Sequence, residues 1–297
     1  VTLLDRADWP STTHVVESRD GTKLHVTDAG SGRPIVFIHG LALTHEVWLP
    51  QLRALRDRYR VLGLDIRGHG DSAPGVEGYS PTLFAEDLAA VLESLDLGDA
   101  ILVGHSLGGC TIGQFASDHG DVLRERVVGL VFVGTYASAL AGEGWFRERF
   151  GRTSTRLMAA TMGRRKQPTE PPMGRLVTAM TKRSFGGSAE PSDIRRLVEI
   201  GIRTPPAVAA ACALGNLTYD VSDRLRDVDV PALVVVGAKD RTAPPRSARR
   251  LAASLPNAEL VVVDGVGHPV GLQRPRELAD LIDAFSRGGG GSAPTSP

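Results

Sequence analysis

The chain has 297 residues, is 42% hydrophobic and 23% charged, and carries 34 basic against 34 acidic side chains, for a formal net charge of +0 at pH 7. That length suits one large α/β domain with an insertion, or two small domains, and the composition is that of an ordinary globular enzyme. Charge balance gives no footprint for nucleic acid or an anionic membrane as partner. No stretch approaches the ~18 apolar residues of a membrane span, and the N-terminus lacks the basic-then-apolar pattern of a secretory signal. The expectation is a soluble, cytoplasmic protein of undefined oligomeric state. Its two cysteines, Cys110 and Cys212, match no metal spacing and read as buried thiols, with a disulfide left open.

In chain order, His14–Arg19 and Lys23–Asp28 predict two strands joined at the turn dipeptide Asp20-Gly21. Pro34–Ile38 is a continuous apolar run, the mark of a strand buried on both faces, and it ends in His39-Gly40-Leu41. A helical pattern follows, with Val47, Trp48, Leu52 and Leu55 on one face. Arg60–Leu64 predicts the next buried strand, leading into Asp65-Ile66-Arg67-Gly68-His69-Gly70-Asp71-Ser72. A helix from Pro81 carries Leu83, Phe84, Leu88, Val91 and Leu92 as a core-facing stripe. Ala100–Val103 and Val127–Val133 are further buried strands, and strands alternating with helices imply a mostly parallel sheet of about eight strands.

The rhythm breaks after Gly134. Between there and about Val230 the segment shows helical patches, such as Trp145–Phe150, Arg156–Met162, Gly174–Thr181 and Ser192–Ile200, and holds all 4 methionines. We read residues 135–230 as a helical cap inserted into a core made of 1–134 and 231–286. The alternation resumes with strand Pro231–Val236, a helix from Pro245, strand Glu259–Val263 and a helix from Pro275 to Phe285. Residues 287–297 have no apolar content to bury and predict a disordered tail.

The chemistry centres on Gly104-His105-Ser106-Leu107-Gly108, a G-x-S-x-G pentad between an apolar strand and a helix start. A serine projecting from so sharp a turn needs small residues two places before and after it, because a Cβ at either would strike the neighbouring backbone. The same turn leaves the Leu107 N–H unpaired at a helix N-terminus, where negative charge is stabilised. A serine hydroxyl needs a neutral imidazole to accept its proton. Of 8 histidines, His105 lies inside the elbow with its side chain expected to point away from the serine oxygen, and His39 and His69 occupy tight glycine-flanked turns. His14, His25, His45 and His119 lie in segments with no other catalytic feature. His268 stands on a glycine-rich loop after the last strand, at the sheet edge where the elbow also ends. The imidazole in turn needs an acceptor on its other nitrogen. Asp240, at the carboxyl end of Pro231–Val236, is favoured, with Asp264 as the rival acid.

The chain resembles serine-type members of the α/β-hydrolase fold superfamily, of the esterase and lipase kind. The matching pieces, in order between Thr13 and Phe285, are His39–Leu43 with Trp48, Asp65–Ser72, Gly104–Gly109, Val234–Asp240 and Gly265–Pro269. The resemblance implies a catalytic set of Ser106, Asp240 and His268, with the Leu41 N–H beside that of Leu107 as oxyanion hole. Serine at the elbow, rather than aspartate, argues against dehalogenases and epoxide hydrolases, and Leu-Ala-Leu after Gly40 departs from the glycine-rich loop of many lipases. The expectation is a hydrolase acting on a carboxylic ester, lactone or thioester of a small apolar molecule, without metal or cofactor. Trp145, Met158 and Met162 of the cap are candidates for the acyl pocket, against the plainer reading of helix-packing residues. Two alternatives stay open: a non-hydrolytic, perhydrolytic or C–C-cleaving use of the same residues, and a ligand sensor that keeps the pocket without turnover.

Overall fold

The computed structural model describes residues 9–139, 178–179, 181–187 and 189–288. Eight strands form one sheet in the order β1-β2-β4-β3-β5-β6-β7-β8, where β1 is Thr12–Glu17, β2 Lys23–Ala29, β3 Pro34–Ile38, β4 Arg60–Leu64, β5 Ala100–His105, β6 Val127–Val133, β7 Ala232–Gly237 and β8 Ala258–Val263. The pairs β1–β2 and β2–β4 are antiparallel, and every pair from β4 through β8 is parallel. The hairpin at Asp20-Gly21 forms as its turn dipeptide predicts, with Gly21 at φ 83°.

Why the apolar runs become central strands follows from the two-residue period of strand side chains. Val36, Leu62, Leu102 and Val234 point to one face and pack on Phe84, Leu88, Ile112 and Phe115 of helices Pro81–Ser94 and Leu107–Asp118. Their neighbours Ile35, Val61, Ile101 and Leu233 point to the other, onto Leu52 and Leu55 of helix Leu49–Leu55 and Leu278 and Ile282 of helix Pro275–Arg287. With both faces covered, the interior positions of these strands are apolar, and the polar Arg60 and His105 stand at strand ends. Helix Pro81–Ser94 starts where the sequence says it should: the Ser80 side chain accepts from the Leu83 N–H at 3.3 Å, and Pro81 occupies the first turn, where its missing N–H costs nothing.

The single helical pattern across Val47–Leu55 is in fact a 3-10 turn, His45–Trp48, followed by helix Leu49–Leu55, with Pro50 in its first turn. Three short helices escaped the sequence reading, Gly120–Arg126, Pro206–Gly215 and Val270–Gln273; the second is so uniformly apolar that it shows no stripe. Arg287, placed in the disordered tail by its sequence neighbours, instead ends the last helix and pairs with Asp283 one turn back at 2.9 Å. That pair favours a cation at the helix C-terminus.

Between β6 and β7 the chain leaves the sheet, and among the described residues the two ends of this excursion meet at an isolated bridge. Ser138 bridges Asp220, and the Ala139 and Val221 N–H groups donate to the Tyr219 and Ala137 carbonyls. The described part of this insertion holds helices Pro191–Gly201 and Pro206–Gly215. It is tied to the loop after β3 by Arg196 and Arg203, whose guanidinium groups lie 3.0 and 2.9 Å from the buried Glu46 carboxylate. Among the described residues no single helix is long and apolar enough to cross a membrane.

Candidate active site

Ser106 joins β5 to helix Leu107–Asp118 with φ 53° and ψ −112°, in the left-handed region that a side-chain-bearing residue adopts only at a cost of about 1–3 kcal/mol. Close approach of its neighbours holds it there. A Cβ on Gly104 would lie 2.4 Å from the Gly108 carbonyl oxygen, and one on Gly108 would lie 2.2 Å from that of Ile38. The glycines of the pentad are therefore required by backbone contact. The Ser106 N–H donates to the Val133 carbonyl at 3.0 Å, and its own carbonyl accepts from the Thr135 hydroxyl at 2.8 Å, so the elbow is fastened to β6 from both sides.

His268 Nδ1 lies 2.7 Å from Asp240 Oδ2. The other oxygen of Asp240 accepts from the Thr242 and Ala243 N–H groups, at 2.7 and 2.9 Å, which fixes the carboxylate at the carboxyl end of β7. Asp264 is exposed at the end of β8, and among the described residues His268 pairs with Asp240 alone of the two acids. The His268 loop is held by its N–H, which donates to the Ser184 carbonyl at 2.7 Å, and by its carbonyl, 3.2 Å from His105 Nε2. The His105 ring lies tilted against the His268 ring, 4.6 Å between centroids, and supports its backbone, so the elbow histidine is a prop for its partner loop. Burial holds its imidazole neutral, well below the ordinary histidine range.

Two further histidines shape the loop that carries Leu41. His39 Nδ1 sits 2.7 Å from the Gly40 carbonyl while its Nε2 accepts from the Ile66 N–H at 3.0 Å. His69 Nε2 accepts from the Ala42 N–H at 3.1 Å. Both rings must be neutral to accept, and burial pushes His39 down to about 3. Ala42 itself stands at φ 55°, so this loop bends sharply between Gly40 and Leu43. Among the described residues neither the Leu41 nor the Leu107 N–H donates to a protein acceptor, and both residues line the same cavity as Ser106 and His268.

That cavity is about 580 Å³, large enough for a small organic molecule. Beyond the residues above it draws Trp48 from the loop after β3, Leu197, Cys212 and Asn216 from the insertion, and Tyr136 from just after β6. Sequence reading missed Tyr136 and Asn216; the signal was a lone tyrosine and a lone amide at the ends of apolar elements. Trp145, Met158 and Met162 lie outside the described residues. Cys110 and Cys212 are free, buried thiols, and burial raises Cys110 to about 11.

The model of the alpha/beta hydrolase fold family matches residues 33–275. The chain belongs to the α/β-hydrolase family. Among curated relatives it is 32% identical over 285 residues to a non-heme chloroperoxidase of Kitasatospora aureofaciens, covering 92% of this chain and 99% of that one. Among solved structures it is similar to a thermophilic esterase from Thermogutta terrifontis, at 26% identity and TM-score 0.81 over 94% of this chain and 100% of that one. It is also similar to the enol-lactonase from Burkholderia xenovorans LB400, at 25% identity and TM-score 0.76 over 92% and 99% of the two chains. This α/β-hydrolase is an enzyme, and its relatives are esterases, other hydrolases and haloperoxidases.

Proposed function

We propose that the protein is a serine hydrolase that cleaves a carboxylic ester, lactone or thioester of a small apolar molecule through an acyl-enzyme. The observation that carries this reading is the 2.7 Å His268–Asp240 contact on the wall of the cavity that also exposes Ser106 on its strained elbow. In the proposed reaction the Ser106 hydroxyl oxygen attacks the carbonyl carbon while His268 Nε2 takes its proton. Asp240 holds the proton on Nδ1 and steadies the imidazolium. The Leu41 and Leu107 N–H groups stabilise the oxyanion, which collapses to expel the alcohol or thiol, protonated by His268. Water, deprotonated by the same imidazole, then releases the acid and restores Ser106. The insertion over residues 135–230 is proposed to act as the cap of this pocket; Leu197, Cys212 and Asn216 among its cavity-lining residues support that reading.

The test is direct. An organophosphonate probe should label Ser106 stoichiometrically, and Ser106→Ala should lower ester turnover by about 10⁴–10⁶. Labelling of another serine, or a variant keeping a tenth of the activity, overturns the assignment. A second reading is favoured by the chloroperoxidase relative: hydrogen peroxide in place of water as acceptor of the acyl group, yielding a peracid. Peracid formation from acetate and peroxide that vanishes in Ser106→Ala supports it.

A further inference from the structure

A second groove, of about 690 Å³, brings together four cations: Lys182 and Arg183 from the insertion, and Lys239 and Arg241, which flank Asp240 after β7. All four residues are exposed. Among the described residues none of them pairs with a carboxylate, whereas Arg58, Arg60, Arg126 and Arg224 each do. The one acid in the groove lining is Asp240, whose side chain is enclosed. Both of its oxygens are occupied, Oδ2 by His268 Nδ1 at 2.7 Å and Oδ1 by the Thr242 and Ala243 N–H groups. The balance of 34 basic and 34 acidic side chains over the whole chain hides this local excess.

Backbone packing holds the two pairs of cations around one space. A Cβ on Gly186, which stands at φ 64°, would lie 2.9 Å from the Lys239 Cβ, so the insertion meets the loop after β7 closely there. The Ser184 carbonyl accepts from the His268 N–H at 2.7 Å, and the Lys239 N–H donates to the Val266 carbonyl at 2.8 Å. Like charges fixed in this way repel one another, and a multivalent anion seated between them relieves the repulsion.

We infer that this groove binds a small soluble polyphosphate, a ligand with two or more linked phosphate groups, that bridges the insertion and the loop after β7. A phosphate presents three strong acceptor oxygens and up to about two negative charges. It suits both the planar fork of arginine and the point charge of lysine. A lone carboxylate would neutralise one cation of the four. The groove lining holds no aromatic side chain on which the bases of a single-stranded nucleic acid could stack. Its only apolar side chains are alanines, which give a bilayer nothing to take up. The site is separate from the Ser106 cavity, and its test does not depend on the serine-hydrolase reading.

The experiment titrates the full chain calorimetrically with inorganic tripolyphosphate at about 0.15 M salt, where attraction between exposed charges is screened beyond about 8 Å. Binding to one site should saturate at micromolar ligand. Two double variants, Lys182→Gln with Arg183→Gln and Lys239→Gln with Arg241→Gln, should each weaken it by about tenfold or more. Arg249→Gln, at an exposed position of helix Pro245–Ala253 outside the groove, removes a similar charge and should bind as the wild type does. Tricarballylate, a tricarboxylate without phosphate, should bind at least about tenfold more weakly than tripolyphosphate. Absence of saturable binding, equal weakening by Arg249→Gln, or full affinity in either double variant overturns the bridging site. Tricarballylate binding as tightly as tripolyphosphate overturns the phosphate assignment. Vesicles bearing a phosphoinositide that bind the wild type where tripolyphosphate fails would place the phosphate on a lipid and overturn the soluble ligand.

Discussion

Three histidine–carboxylate contacts of 3.0 Å or less occur among the described residues, of which the part-exposed His14–Asp28 pair lies on the edge hairpin, and the other two contrast in what surrounds them. His268 Nδ1 lies 2.7 Å from Asp240, and His45 Nδ1 lies 3.0 Å from Asp65. Asp65 is saturated. It also accepts from the His45 and Asp71 N–H groups, at 2.7 and 3.1 Å, and has His25 Nδ1 3.3 Å away, so its carboxylate ties its own loop to the His45–Trp48 turn and to β2. Burial alone would raise its pKa, but hydrogen bonds from His25 and His45 hold it well below the ordinary carboxylate range. The His45 ring is enclosed, whereas the His268 ring lines a cavity shared with Ser106. What distinguishes the two pairs is therefore the open space beside His268, which the enclosed His45 lacks.

Breaking each pair in turn should separate the two roles. Asp240→Asn should keep the fold yet lose roughly 10³–10⁴ in kcat, because the amide favours the wrong imidazole tautomer. Asp65→Asn should show the opposite profile, unfolding in urea with about 1–3 kcal/mol less stability, as expected when a buried acceptor of several hydrogen bonds is replaced by one that leaves donors unpaired. Equal kinetic losses in the two variants, measured on the folded fraction, would erase the distinction.

Acid sharpens the comparison further. His39 and His105 are held neutral in the fold, with pKa values below that of an unfolded histidine, about 6.5. The unfolded chain therefore binds more protons below that pH, and stability falls as pH drops from about 6.5 toward the His39 value of about 3. Asp65, depressed in the fold, adds a second loss as pH falls below its unfolded value of about 3.9. Tm should thus be level near pH 7 and decline steadily on acidification, and His39→Gln should reduce the slope of unfolding free energy over pH 4–6 by about one proton. An unchanged slope would mean that His39 is not held neutral. The smallest effect belongs to the exposed acid: Asp264→Asn should alter kcat by less than about twofold, and a loss matching that of Asp240→Asn would transfer its role.

Much of this site is legible without coordinates because its constraints are local. Gly104 and Gly108 are demanded by backbone contacts within one turn and the adjacent strand end, and the strands announce themselves because both of their faces are buried. His268 and Asp240 could be placed because each follows a parallel strand, and parallel strands deliver their ends to one edge. The choice between Asp240 and Asp264 was not local. It depended on which carboxylate faces the ring across 28 residues, while the nearer acid in sequence turns to solvent.

Chain order, strand count, the elbow and the identity of its serine were thus determined by sequence alone, since each rests on sterics or burial within a few residues. Only the tertiary structure decided that Arg67 is buried and forked onto Asp87 and Asp20, which lie 20 and 47 residues away. It also decided that Asp65 is a pin and that Tyr136 and Asn216 meet on the cavity wall across 80 residues. Those meetings are set by how helices dock on a sheet, and a lone arginine, tyrosine or asparagine carries no periodicity that reveals its partner. A polar side chain's role is fixed by what faces it, and that is known only once the chain has closed on itself.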